Sequence, residues 1–104
     1  MSDDPISVGL LVMLQAKPGQ ERALGELLTA ALPMAQDEPD TVAWFAYQID
    51  ASTYGVVDFF ADDSGRQAHL QGQIPAALMA KADELLASPP QIVPIDTLGV
   101  KLPG

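Results

Sequence analysis

The chain contains no cysteine and a single histidine, His69, among its 104 residues. Without cysteine it can form no disulfide bond, no thiolate nucleophile and no cysteine metal site. One histidine and scattered carboxylates also lack the spacing of a metal-ligand group, so we expect no bound metal. Disulfide, thiol and metal chemistry are therefore not expected in this protein.

Basic side chains are scarce as well: five lysines and arginines stand against 14 aspartates and glutamates, for a net charge of −9. This charge repels phosphate backbones and anionic lipids, so we expect neither a nucleic acid nor a membrane as a partner. No run approaches the ~20 apolar residues needed to cross a bilayer. Residues 1–5 lack the basic and apolar parts of a signal peptide, and the expected location is cytoplasmic.

Four short apolar segments, at 6–16, 41–50, 53–61 and 91–101, are predicted to be β-strands. The first strand carries large apolar side chains on both of its alternating faces, and the second strand does the same. A sheet that is apolar on both faces must be covered on both. Helices of the chain can cover one face, and we expect a second copy of the chain to cover the other in a homodimer.

Amphipathic helical patterns separate these strands. Apolar residues recur at helical spacing from Leu24 to Ala35, where Pro33 is predicted to kink or unwind the end of the helix. After the third strand, the polar group 62–64 is predicted to cap a short helix that Gly72 interrupts, and a second helix begins near Ile74. The order β-α-β-β-α-β predicts an α+β, ferredoxin-like fold with an antiparallel sheet. One domain is expected to span residues 1–104.

The chain resembles the antibiotic biosynthesis monooxygenase family in four motifs that succeed one another along nearly the whole sequence. They are Lys17–Glu21, Glu38–Thr41, Asp58–Phe60 and Gln67–Leu70. The resemblance implies a dimeric α/β barrel in which two ferredoxin-like sheets face each other. It also implies oxygenation without a cofactor: a bound quinol or polyphenolic aromatic is deprotonated, and its anion passes an electron to dioxygen.

The chain departs from the family pattern at three positions. Asp40 replaces a usual glycine, Ala61 replaces a common acid, and Gln73 stands where quinol-oxidising members often have a second histidine. Haem degradation, found in a branch of the same superfamily, needs an asparagine that this chain lacks. The alternative to a monooxygenase is a non-catalytic dimeric barrel that binds a small apolar or aromatic ligand.

His69 and Asp58 are the candidate catalytic residues. An unperturbed histidine has a pKa near ~6.5, which would leave His69 a neutral base at physiological pH. The alternative is a packing or capping histidine. Asp58 interrupts an apolar strand, where an unpaired buried carboxylate is costly. It is expected to serve the site, or else to sit at a sheet edge or to pair with Arg66 or Lys101.

All six aromatic residues fall on the second and third predicted strands. A flat ligand would find stacking partners there, although most strand aromatics are core or interface residues. Trp44 and Phe60 are the two predicted to bind substrate.

Overall fold

A computed structural model describes residues 5–103. Its strands form one antiparallel sheet in the order β2-β3-β1-β4, which confirms the predicted ferredoxin-like arrangement. In chain order the elements are β1 (Val8–Gln15), α1 (Glu21–Ala30), α2 (Leu32–Gln36), β2 (Thr41–Gln48), β3 (Thr53–Phe60), α3 (Asp63–Leu70), α4 (Gln73–Leu85) and β4 (Gln91–Asp96). Within the described part of the chain, no helix has the length and apolar character required to span a membrane.

The strands are shorter than their apolar patterns predict, and β4 shows why. The predicted strand 91–101 ends at Asp96, which pairs with Val8 at the start of β1. A longer β4 would run past the end of its only sheet neighbour. The apolar residues beyond it remain outside the sheet, and Leu98 is fully exposed.

Pro33 divides the first helical segment as predicted. α1 ends at Ala30, and α2 begins at Leu32 with the proline in its first turn. Proline lacks the N–H that a continuous helix would donate to the carbonyl of residue 29, and its ring crowds that turn. The break sets α2 as a separate short helix before the loop that leads into β2.

The helices cover one face of the sheet, called here the covered face. Its strand residues alternate with those of the other face and pack against Leu24 and Leu28 of α1 and Leu85 of α4. The buried members on β1 and β3 are Leu10, Leu14, Tyr54, Val56, Asp58 and Phe60. All but one are apolar or aromatic, so Asp58 is the exception in this core.

Among residues 5–103, no helix lies over the opposite face, called here the open face. Its large side chains are half-buried or exposed, and Phe45 is 55% exposed. Tyr47 lies over Gly55, where a Cβ would clash with the tyrosine hydroxyl, and that hydroxyl donates to the Val12 carbonyl at 2.9 Å. The large apolar and aromatic side chains of the open face are Leu11, Met13, Phe45, Tyr47, Val57, Phe59, Val93 and Ile95.

Candidate functional site

A cavity of about 80 Å³ lies between the covered face of the sheet and the helices. Its wall combines residues of β1, β3 and β4 with residues of all four helices. Fourteen of the sixteen lining residues are apolar: Leu10, Val12, Leu27, Leu28, Ala30, Ala31, Met34, Val56, Leu70, Ile74, Pro75, Ala77, Leu78 and Ile92. The two polar residues are Asp58 and His69. Any polar recognition in this cavity therefore depends on that pair.

Asp58 reaches the cavity because of its register on β3. It lies opposite Leu10 on one side and Trp44 on the other, and its side chain is 1% exposed. Neither of its carboxylate oxygens accepts a well-directed hydrogen bond from a described residue. A carboxylate so fully removed from water is destabilised unless a charge or a donor compensates it.

His69 of α3 lies beside this carboxylate and can compensate it when protonated. Its Nε2 lies 3.0 Å from Oδ2 of Asp58, an ion-pair distance, although the ring N–H does not point directly at either oxygen. The ring is held against Phe60, with the two ring centroids 5.4 Å apart. α3 begins where the Asp62 side chain accepts a hydrogen bond from the Gly65 N–H, as the predicted cap requires. This start places His69 over β3.

Glu38 contacts the other nitrogen of the same ring. Its Oε1 lies 2.7 Å from Nδ1 of His69 and also accepts a hydrogen bond from the Thr41 hydroxyl at 2.8 Å. A Cβ at Gly72 would lie 3.2 Å from the second oxygen of Glu38, so the small residue leaves room for the carboxylate. The His69 ring thus lies between two carboxylates, one beside each of its nitrogens.

These carboxylates change the acid–base state of the imidazole. Burial by itself would lower the pKa of His69, but the polar contacts and negative charges of Asp58 and Glu38 outweigh it and raise the pKa. The sequence alone predicts a neutral base near pH 7, whereas this setting favours the imidazolium. A protonated His69 leaves Asp58 as the group of the pair that can accept a proton from a bound molecule.

The other residues singled out in the sequence make different contacts from those predicted. Asp58 does not pair with Arg66 or Lys101: Arg66 forms its ion pair with Asp63 at 2.8 Å, and Asp58 contacts His69 instead. Trp44 and Phe60 do not line the cavity. Trp44 packs against the apolar core beside it, and Phe60, which is fully buried, supports the His69 ring.

Glu38 is the site residue that sequence reasoning missed as a functional group. In the sequence it is only part of a loop motif, and nothing nearby in the chain shows that this loop reaches α3. Within residues 5–103, no group of three or more metal-ligating side chains is arranged to hold a metal ion.

Comparison with solved structures defines the class of fold. The protein is similar to a "putative antibiotic biosynthesis monooxygenase" from Nitrosomonas europaea, with a TM-score of 0.80 and 15% identity over 88% of this chain and 99% of that one. A further antibiotic biosynthesis monooxygenase gives a TM-score of 0.77 with 13% identity, over the same shares of the two chains. The chain therefore has an antibiotic biosynthesis monooxygenase-like fold, as the sequence motifs predict.

A much higher identity defines the family. The chain is 55% identical to a protein of unknown function from Nitrosomonas europaea, over 96% of this chain and 97% of that one, with a TM-score of 0.94. The chain belongs to the same family as that protein. No protein-family model and no curated protein matches the sequence.

Proposed function

We propose that this protein is a cofactor-independent monooxygenase that oxidises a quinol or polyphenolic aromatic with dioxygen. The observation that carries the proposal is the buried Asp58 carboxylate in the wall of an apolar cavity, 3.0 Å from His69. An apolar wall suits an aromatic ring, and a carboxylate with no well-directed donor suits a phenolic hydroxyl. The fold shared with antibiotic biosynthesis monooxygenases is consistent with this chemistry.

The reaction begins when the phenolic O–H bond breaks and its proton moves to Asp58. The neighbouring imidazolium of His69 then stabilises the phenolate by its positive charge in a cavity where water screens little. The anion passes one electron to dioxygen, and the two radicals combine to form a C–O bond. Asp58 returns its proton to the resulting peroxide, and the O–O bond and the ring C–H bond then break as water leaves. A hydroquinone and one dioxygen yield a hydroxyquinone and one water, so the substrate itself is the reductant.

A non-catalytic role in binding a small apolar or aromatic ligand is the second candidate. The observation that favours it is that fourteen of the sixteen residues of the cavity wall are apolar. In this case Asp58 and His69 would orient a hydroxyl group without accepting its proton for further reaction. The two candidates differ only in whether a reaction occurs after binding, so one experiment can separate them.

Oxygen consumption by the metal- and flavin-free protein with reduced quinols provides that experiment. His69→Ala and Asp58→Asn should each lose roughly 10²–10⁴ of the rate, the usual contribution of a proton-transfer group. Gln71→Ala, an exposed change just after α3, is the matched control and should keep the rate.

Quinols also react with oxygen spontaneously, so heat-inactivated protein at the same pH gives the background. Equal rates for all three variants and the wild type would remove Asp58 and His69 from the mechanism. Binding of a quinol or flavonoid-like phenol, with no rate above background, would establish the ligand-binding function instead.

The open face supports a homodimer as the working form of this protein. Its eight large side chains include Phe45 and Val93, which are 55% and 39% exposed. A flat apolar sheet face of this extent is destabilising in water. A second copy, packed sheet against sheet, would bury the same residues on both chains and complete the barrel that the sequence resemblance implies.

A further inference from the structure

His69 separates two spaces of opposite character. Its Nε2 side faces the apolar cavity, and its Nδ1 side faces an open cleft of about 360 Å³. The cleft lies between the loop before β2 and the junction of α3 with α4. Its lining residues are Met34, Asp37, Glu38, Pro39, Asp40, Thr41, Ala68, His69, Gly72 and Gln73. Three carboxylates make the cleft acidic.

Exposure increases along the chain of contacts from the cavity to the cleft. The side chain of Asp58 is 1% exposed, that of His69 is 6% exposed, and that of Glu38 is 21% exposed. Glu38 is therefore the most exposed member of the three, although it is still partly buried. It is also held in place, because a single oxygen accepts from both Thr41 and His69.

We propose that Glu38 is a positioning residue for the catalytic pair: it acts through His69, holding Nε2 of the imidazole toward the Asp58 carboxylate in the apolar cavity. The effect of Glu38 on catalysis rests on the proposed function. The positioning of the His69 ring by Glu38 rests on the contacts alone. Glu38 holds the ring with Nδ1 toward the cleft, so Nε2 must face Asp58. Its negative charge also stabilises the imidazolium whose charge compensates the buried carboxylate.

The charged groups around His69 come from two places. β3 contributes Asp58, and the loop before β2 contributes Asp37, Glu38 and Asp40. Among the described residues, those of α4 in the two walls carry no charge. Glu38 is the cleft carboxylate that contacts the ring, so removal of its charge should affect His69 far more than removal of the charge of Asp37.

His69 is the only histidine of the chain, so its imidazole NMR signals need no assignment by mutation. We expect Glu38→Gln to lower the pKa of His69, because the amide can still accept a hydrogen bond but no longer carries charge. Asp37→Asn removes the same charge from the same cleft without touching the ring, and it should leave that pKa nearly unchanged. Equal pKa values in the two variants would overturn the inference.

Thr41→Val keeps the proposal testable even if Glu38→Gln fails to fold. Loss of the hydroxyl removes a competing donor from Glu38, so the carboxylate interacts more strongly with His69 and the pKa of His69 should rise. A lowered or unchanged pKa in this variant would contradict the proposed role. Both NMR readouts stand whether or not the protein oxidises a quinol.

Activity provides the second readout. If the proposed monooxygenase reaction occurs, Glu38→Gln should lower kcat about tenfold, a part of what a complete acid–base group contributes. The alkaline limb of its pH–rate profile, set by loss of the His69 proton, should move to lower pH, whereas a purely structural loss would lower the rate equally at every pH. If Glu38→Gln lowers the pKa of His69 but leaves the alkaline limb of the pH–rate profile in place, Glu38 only holds the ring. That result would overturn its part in the reaction.

Discussion

The two faces of the sheet carry similar apolar side chains but differ in what covers them. On the covered face, Leu10, Val56 and Phe60 are buried by helices of the same chain, and a single carboxylate lies among them. On the open face, Phe45 and Val93 remain exposed, and the Tyr47 hydroxyl donates to the Val12 carbonyl. The helices therefore enclose the face that holds the candidate site and leave the other face as the proposed interface.

The helices that pack on the covered face should be the more sensitive to loss of side-chain volume. Leu24 is fully buried in α1. Leu24→Ala should lower the free energy of unfolding by about 2–5 kcal/mol, because transfer energy is lost and a cavity is left behind. Leu27 should cost less, because its half-buried side chain already borders the cavity. Chemical denaturation measures both free energies of unfolding. An equal cost at the two positions would show that the cavity wall is as tightly packed as the core.

Substitutions on the open face should change the monomer–dimer equilibrium rather than the folding of the single chain. Phe45→Glu would place a charge in the proposed interface and weaken the dimer by about 30-fold or more, as expected for loss of a central aromatic contact. Met79→Glu on α4 is the matched control, because that side chain is 59% exposed outside the open face. Sedimentation at micromolar concentration measures the difference. If the wild type is already monomeric there, the dimer proposal fails.

The smallest expected effect is the pH dependence of the free energy of unfolding. It depends on the pair Asp58 and His69 and not on the apolar residues of the covered face. Because folding raises the pKa of His69, the folded protein binds this proton more tightly than the unfolded chain does. That stability is fully present below about pH 6.5 and is lost as pH rises through the higher folded pKa, with a slope of at most about 1.4 kcal/mol per pH unit.

Asp58→Asn is the comparison for this pH effect, because it removes one of the two charges that raise the pKa of His69. The decline in unfolding free energy above pH 6.5 should be shallower in the variant, as measured by denaturation at a series of pH values. An identical decline would show that Asp58 does not govern the proton on His69.

Much of the fold is predictable because it depends on local spacing. The strand and helix order, the break at Pro33 and the cap at Asp62 all depend on side chains within a few residues of each other. The ends of the strands do not. β4 stops at Asp96 because β1 begins at Val8, a limit set by a partner far away in the sequence.

The candidate site is predictable only in part, for the same reason. His69 and Asp58 stand out as a lone histidine and a carboxylate within an apolar strand, but their 3.0 Å contact brings α3 onto β3. Glu38 gives no signal of its own, since it meets His69 only after the chain has passed through two strands and returned. Trp44 and Phe60 are aromatic residues of the expected strands, yet packing directs both away from the cavity wall.

The amino-acid sequence by itself determines the ferredoxin-like order of elements and the two apolar faces of the sheet, because periodicity and turn chemistry act over short distances. Only the tertiary structure decides which face the helices cover, and with it which carboxylates reach the imidazole. That choice changes the chemistry of His69, because two negative charges brought from distant parts of the chain favour its protonated form where burial alone would oppose it.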